Sequence, residues 1–388
     1  MVTERLYYRD SYLTEFNAIV VAGADDGRRV YFNRTAFYPE SGGQPHDLGS
    51  VNGVRVLGVI DEGDRIAHLL EAPIGEAEAR CRIDWARRLD HMQQHTGQHL
   101  LSAVLEELFQ AHTMGFHMSA DYSTIDVSAD GFSAAQVRAA EERANAIAFE
   151  NRPVTISFED SESALALRKP SERKGILRVV TIAGLDRSAC GGTHVRSTGE
   201  VGPILIRKVE RAHGGTRIEF LCGMRAVRRA RADYDALSRI ARSLTVPLDD
   251  APALVAARSE ALAAAEKNVR KLSAELARAR GRELYSAAVP DANGLRRHTE
   301  RIARGALGDD IRAMAQGFTA CSKAVFVAAV EEPPSVLLAV SADSSIHAGN
   351  VLKAALTANG GRGGGSAQAA QGSLPSAEAL KAVLAALP

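Results

Sequence analysis

Two histidines four residues apart, His95 and His99 in His95-Thr-Gly-Gln-His99, are the sharpest chemical signal in the chain. Positions i and i+4 of a helix share a face, so both imidazoles can hold one metal ion. No glutamate follows His95, so the segment is not the His-Glu-x-x-His pattern of metallopeptidases and brings no general base with it. A second half-site, Cys190-Gly-Gly-Thr-His194, sets a thiolate beside an imidazole. Gly191 and Gly192 permit the tight turn that lets two ligands converge from a loop. Together His95, His99, Cys190 and His194 form a three-histidine, one-cysteine set, complete for tetrahedral Zn²⁺. A structural zinc fills all its positions with protein ligands, whereas a catalytic zinc keeps one for water; spacing alone leaves both open. His91, His112, His117 and His213 are read as ordinary surface or core histidines. In a third segment, Phe37-Tyr-Pro-Glu-Ser-Gly-Gly-Gln-Pro45, Gly42 and Gly43 allow close backbone approach, and Gln44 offers both a donor and an acceptor.

The elements that must position these residues follow from periodicity. Residues 1–90 carry short strands rich in Val, Ile and aromatics (Asn17–Ala22, Arg29–Phe32, Val54–Ile60), separated by turn clusters, and predict a small β-barrel. From Asp84, a good N-cap, apolar residues recur at helical spacing through Leu108, so both histidines of the first half-site sit on a helix. A second helix over 134–150 and strands near 154–158, 177–182, 204–206 and 216–221 make residues 91–225 an α+β domain. Residues 226–286 read as a helical spacer. Within it Leu262, Ala265, Val269, Leu272, Leu276 and Ala279 form a four-three seam. That seam suits either a homodimer through the C-terminal part or a hairpin with the basic helix 224–246. Residues 287–388 predict a small α/β domain with buried strands at 325–330 and 335–340 and helices around 300–319, 348–358 and 376–387. The run Gly360-Gly-Arg-Gly-Gly-Gly365 is either a flexible loop or a place where backbone amides and Arg362 approach RNA phosphates.

Composition bounds the function classes. The chain has 388 residues, 46% hydrophobic and 24% charged, the balance of a soluble globular protein. No apolar run of 18 residues occurs, so neither a transmembrane helix nor a membrane partner is expected. Met1-Val-Thr-Glu-Arg lacks the apolar core of a secretory signal. Four dispersed cysteines fit a reducing cytoplasm rather than a disulfide scaffold. The net charge is zero, but residues 162–231 hold 15 Lys and Arg against 6 Asp and Glu, a net of +9. That stretch is either a face for a polyanion or a set of solvated surfaces.

The order Phe-Tyr-Pro-Glu-Ser-Gly-Gly-Gln, then His-Thr-Gly-Gln-His-Leu-Leu, then Cys-Gly-Gly-Thr-His-Val resembles the editing domain of alanyl-tRNA synthetase. It is more similar still to the free-standing AlaX-type alanyl-tRNA editing proteins, over about residues 5–225. His347-Ala-Gly-Asn-Val-Leu-Lys353 and the glycine run through Gln368 resemble the DHHA1 domain, which suggests the long form. The fold implied is α+β: a small N-terminal barrel, a zinc-binding editing domain, a helical spacer and a C-terminal α/β DHHA1-like domain. No residues are left for an aminoacylation core of the usual size. The resemblance therefore implies a zinc-dependent hydrolase acting in trans on the ester of Ser-tRNA(Ala), and of Gly-tRNA(Ala), with mischarged alanine tRNA as partner. Zn²⁺ on His95, His99, Cys190 and His194 would be its catalytic centre. Gln44, Thr96, Gly42 and Gly43 would face the substrate or support the ligands. Arg168, Lys169, Arg173 and Lys174, with Arg362, would meet tRNA phosphates. The competing reading is a non-catalytic tRNA-binding module with structural zinc.

Overall fold

Eight strands open the chain: β1 (Glu4–Arg5), β2 (Glu15–Ala24), β3 (Arg29–Phe32), β4 (Arg34–Thr35), β5 (Gly49–Val51), β6 (Val54–Asp61), β7 (Ile66–Leu70) and β8 (Glu78–Ile83). The computed structural model describes residues 2–162, 167–169, 174–212 and 214–388, and separates into two compact units, Met1–Arg239 and Ile240–Pro388. In the first, six strands close into a barrel in the order β2-β3-β7-β6-β5-β8. Closure removes the exposed sheet edges that short strands would otherwise leave. The period-two rule is cleanest in β8, where Ala79, Cys81 and Ile83 point inward and Glu78, Arg80 and Arg82 outward. Phe16, Phe32, Phe37, Val56 and Ile66 fill the interior.

The rest of this unit comprises α1 (Trp85–Phe109), β9 (Thr113–Met118), β10 (Ser123–Val127), α2 (Ala134–Phe149), β11 (Val154–Asp160), β12 (Ile176–Ile182), β13 (Asp186–Ala189), β14 (Ile204–Ala212) and β15 (Gly215–Cys222). Two antiparallel sheets form, ordered β14-β15-β10-β9 and β11-β12-β13. Asp84 caps α1 by accepting from the Arg87 amide at 3.2 Å, a bond worth about 1 kcal/mol. From Gln94 to Leu105 the helix is buried on every side, which takes His95 and His99 out of bulk water. Leu100, Leu101, Val104 and Leu105 join Ile125, Ile147, Val180, Ile218 and Phe220 in one core.

The second unit begins near the end of α3 (Met224–Leu244) and contains α4 (Ala251–Ala287), β16 (Arg296–Arg304), α5 (Asp309–Thr319), β17 (Ala324–Glu332), β18 (Ser335–Val340), α6 (Ala348–Ala358), β19 (Arg362–Gly365), β20 (Ala369–Ser373) and α7 (Ala377–Ala386). The sheet runs β16-β17-β18-β20-β19, with only the β16–β17 pair parallel. Helices cover both faces, which is why β17 and β18 are continuous apolar runs. Three expectations are corrected here. Residues 296–304 form an edge strand, and the helix expected around 300–319 starts only at Asp309. Residues 362–365 of the glycine run are not a loop but pair with 370–373. The α4 seam is not packed: Leu262, Val269, Leu272 and Leu276 stay exposed, while Ala277 lies in a core with Met314 and Phe318 of α5. No helix among the described residues is long and apolar enough to cross a membrane.

Arg88, in the first turn of α1, has no exposed surface. Its Nε donates to Asp47 Oδ1 at 3.1 Å, Nη1 to the Ser11 carbonyl at 2.6 Å and Nη2 to the Ala36 carbonyl at 2.6 Å. The Asp47 carboxylate also receives Nη2 and the Tyr38 amide. Removing one partner of a buried pair strands the other charge. Arg88→Met is therefore expected to lower the unfolding free energy by about 3–5 kcal/mol, seen as a lower urea midpoint. A change under about 1 kcal/mol, the scale of an exposed ion pair, would show that this pair does not anchor the helix.

Candidate metal centre

Helical spacing brings His95 and His99 to one side of α1, with ring centroids 5.4 Å apart. The loop after β13 brings the second half-site to them. Cys190 Sγ lies 3.4 Å from His95 Nε2 and 3.3 Å from His194 Nε2. One ligand atom from each of His95, His99, Cys190 and His194 falls within 4.8 Å of the others. Gly192 makes the approach possible, because a Cβ there would stand 2.1 Å from the His95 ring. Its own amide reaches Cys190 Sγ at 3.4 Å.

Each imidazole is held from behind at Nδ1. His95 Nδ1 meets Gln44 Oε1 at 2.8 Å, His99 Nδ1 meets Asp186 Oδ2 at 2.9 Å, and His194 Nδ1 meets Thr96 Oγ1 at 3.1 Å. An amide oxygen and a carboxylate only accept, so Nδ1 of His95 and of His99 carries a proton and Nε2 is the atom that faces the cluster. Gln44 is itself fixed by the Thr193 hydroxyl at 2.8 Å, and Asp186 by Arg168 Nε at 2.8 Å and Ser188 Oγ at 3.0 Å. Burial opposes ionisation of Cys190, but the electrostatic attraction and hydrogen bonds of the adjoining His95 and His194 rings outweigh it and hold the thiol well below its ordinary value. Burial lowers His194 to about 3 and so keeps it neutral. Burial also disfavours charge on His99, yet the Asp186 hydrogen bond prevails and raises it to about 9, so without a metal ion Nε2 holds a proton that a bound cation would displace. Three nitrogens of buried imidazoles and a half-buried cysteine sulfur, with the rings held by outer partners, match the donor set and second shell of tetrahedral Zn²⁺.

A cavity of about 920 Å³ opens over the cluster, with His95, His99, Cys190, Gly191 and Gly192 in its lining. Gly42 lines it too. Gly43, with φ +82°, lies so close to β9 that a Cβ would stand 2.4 Å from the Phe116 carbonyl oxygen. That approach seats Phe116 against the His95 ring, with centroids 5.3 Å apart. Gln44 and Thr96 are fully buried and bond the ligand rings. Arg168 pairs with Asp186, Lys169 lines the cavity, Lys174 is exposed, and Arg362 is exposed on β19 of the other unit. Arg173 lies outside the described residues, as does His213. Of the remaining histidines His91 is buried, His112 and His117 are exposed, and none joins the cluster. Sequence reasoning missed Asp186, although it shares a face of β13 with Ser188, just before Cys190. It also missed Tyr7, Tyr8, Tyr38 and Arg178 around the cavity, where no spacing signal exists.

Two titrations check this arrangement. The purified chain is expected to bind one divalent ion, and Cys190→Ala to lose it. Asp186→Ala should weaken metal affinity about 10–100-fold, measured by competition with a chromogenic chelator. Unchanged affinity would show that Asp186 does not support His99 as a ligand.

The family model for the threonyl and alanyl tRNA synthetase second additional domain matches residues 177–219, which include Asp186, Cys190 and His194, and the DHHA1 domain matches residues 300–388. An alanine–tRNA ligase of Pyrococcus abyssi is 34% identical over 95% of this chain, which spans 42% of that ligase. The alanyl-tRNA editing protein AlaX-L of Pyrococcus horikoshii is 39% identical over 58% of this chain and 59% of its own length. The mouse alanyl-tRNA editing protein Aarsd1 is 34% identical over 58% of this chain and 60% of its own length. The chain thus spans about half the length of the curated relatives it matches. It carries a threonyl/alanyl tRNA synthetase second additional domain followed by a DHHA1 domain, and it is similar to alanyl-tRNA editing proteins of the AlaX-L and Aarsd1 kind.

Proposed function

We propose that this chain is a zinc-dependent hydrolase of the cytoplasm that edits mischarged alanine tRNA in trans, cleaving the ester of Ser-tRNA(Ala) and of Gly-tRNA(Ala). The observation that carries this reading is the convergence of His95, His99, Cys190 and His194 beside a cavity of about 920 Å³. The names of the similar editing proteins support it. A synthetase pocket for alanine rejects a smaller residue or an added hydroxyl poorly, so a second site must do so. Zn²⁺ bound by the four side chains would supply Lewis-acid polarisation of the ester or of a water. The protein's own residues prepare for this. Gln44 and Asp186 keep the Nε2 atoms of His95 and His99 facing the cluster, and Thr96 steadies His194. Asp186 is committed to His99 and Arg168 and is not a spare base. An activated ester needs little help of that kind.

The functional modules in this reading are the barrel to about residue 90, the zinc-binding editing domain to 225, a helical spacer to 286 and the DHHA1-like domain. Lys169, Arg173, Lys174 and Arg362 would face phosphates, so affinity for tRNA falls with salt, whereas Arg168 would act through Asp186 instead. Gly42 and Gly43 would border the bound amino acid, with Gln44 and Thr96 behind the ligands. The exposed seam of α4 would join two copies of the chain.

Deacylation of Ser-tRNA(Ala) beside Ala-tRNA(Ala) tests the activity. Loss of serine with alanine spared is expected. A four-ligand cluster also has the composition of a closed structural site, so tRNA binding with neither ester cleaved would favour the non-catalytic module. Full activity in chelator-treated, metal-free protein would reject the zinc requirement. For assembly, light scattering should give a dimer for the whole chain and a monomer for Leu272→Glu/Leu276→Glu. The same mass for both would reject the seam as an interface.

A further inference from the structure

The hairpin of β11 and β12 aligns three side chains of different character along one face. Its register sets Phe158 opposite Arg178 and Asp160 opposite Ile176, so Phe158, Ile176 and Arg178 share a side, and all three line the cavity above the cluster. Exposure rises outward along that face, from 8% for Arg178 to 50% for Phe158 and 68% for Ile176. Arg178 belongs to the inner end: its Nη1 donates to the Cys190 carbonyl at 2.5 Å and its Nε to the Tyr8 carbonyl at 2.9 Å. The third nitrogen, Nη2, is buried without a hydrogen-bond partner among the described residues. A buried guanidinium donor left unmatched is costly and calls for an oxygen from a ligand. At the outer end two large apolar side chains sit half in water, diagonal to one another, and Lys169 also lines the cavity.

We propose that this face seats the terminal nucleoside of the charged RNA. Its base stacks on Phe158 with Ile176 beside it, and Arg178 Nη2 donates to an oxygen of the same nucleoside's sugar-phosphate. The ligand follows from the editing activity proposed above. The order of groups is the support: aminoacyl ester, ribose and base follow one another along the substrate, as the metal cluster, Arg178 and the apolar pair follow one another along the cavity. Aromatic stacking tolerates any base and is backed by cations that track the backbone, the chemistry this wall offers. Stacking makes Phe158 a substrate-binding residue with no part in holding the metal.

The test uses the whole chain with its metal and an alanine tRNA whose terminal adenosine is replaced by 2-aminopurine, a base whose fluorescence is quenched on stacking. Wild-type protein is expected to quench it on binding. Phe158→Ala should weaken binding roughly tenfold to a hundredfold and abolish the quench. Phe158→Trp should restore both, and Ile176→Glu should weaken binding as Phe158→Ala does. Metal content should be the same in all variants, because both positions are exposed. No quench with the wild type, or the same quench with Phe158→Ala, would overturn the proposal. The two readings separate cleanly. Quenching without release of serine would keep the stacking site and defeat the hydrolase. Release of serine without a Phe158-dependent quench would keep the hydrolase and defeat the stacking site.

Discussion

The buried Arg88–Asp47 pair is the joint on which the metal centre depends. Arg88 sits two turns before His95 on the same helix. Asp47 and Ala36, which it binds, flank the loop that carries Gln44, the partner of His95. Ser11, whose carbonyl takes Nη1, offers its hydroxyl to the His194 amide at 3.3 Å. One guanidinium therefore fixes the helix of the first half-site, the loop behind it and a contact to the second half-site. A lysine could not replace it, since only a planar fork with five donors reaches three directions at once. Burying such a pair gives little net stability, because desolvation offsets the attraction. Its value here is register: a small slip of α1 against the barrel would carry His95 away from Gln44.

Precise placement matters because the three imidazoles are buried. Three imidazoles and a thiol packed within a few ångströms leave no room for rearrangement, and each ring must present the correct nitrogen. Three different outer partners do that work, drawn from the barrel loop, from α1 itself and from β13. Asp186 shows the economy of the arrangement. It lies on the same strand face as Ser188 and leads into the Cys190 loop, so one short strand orients His99 and delivers a ligand of its own. The same packing explains why Gly192 admits no side chain, since its Cα lies against the ring that Gln44 has already fixed.

What was legible in the sequence was local. His95 and His99 are four apart on a strongly periodic helix, and Cys190 and His194 flank two glycines, so both half-sites were visible before their convergence was known. The helix cap at Asp84 was visible for the same reason. Long-range partners were not: Asp186, Arg178 and Tyr38 carry no spacing signal that ties them to His95. Strand 296–304 was hidden because it is an edge strand with Arg297, Thr299 and Arg301 exposed and polar residues on its other face too. Period-two burial there has no hydropathy counterpart. The glycine run misled in the opposite sense, since residues without side chains to pack still make ladder hydrogen bonds at a sheet edge.

Charge was the feature least readable from sequence. The stretch 162–231 carries a net of +9, yet several of its arginines pair with acids from outside it. Arg187 meets Glu159, Arg217 meets Asp126, Arg225 meets Asp90, and both Arg207 and Arg229 meet Asp233. Arg168 is spent on Asp186 behind a metal ligand. A count along the chain treats all of these as free positive charge, whereas Coulombic neutralisation within a few ångströms leaves little field at a distance. The cations that matter for an anionic ligand are then those on the cavity wall whose donors are not all used by the protein. Arg178 meets that condition through one buried nitrogen, and no window of net charge could have singled it out.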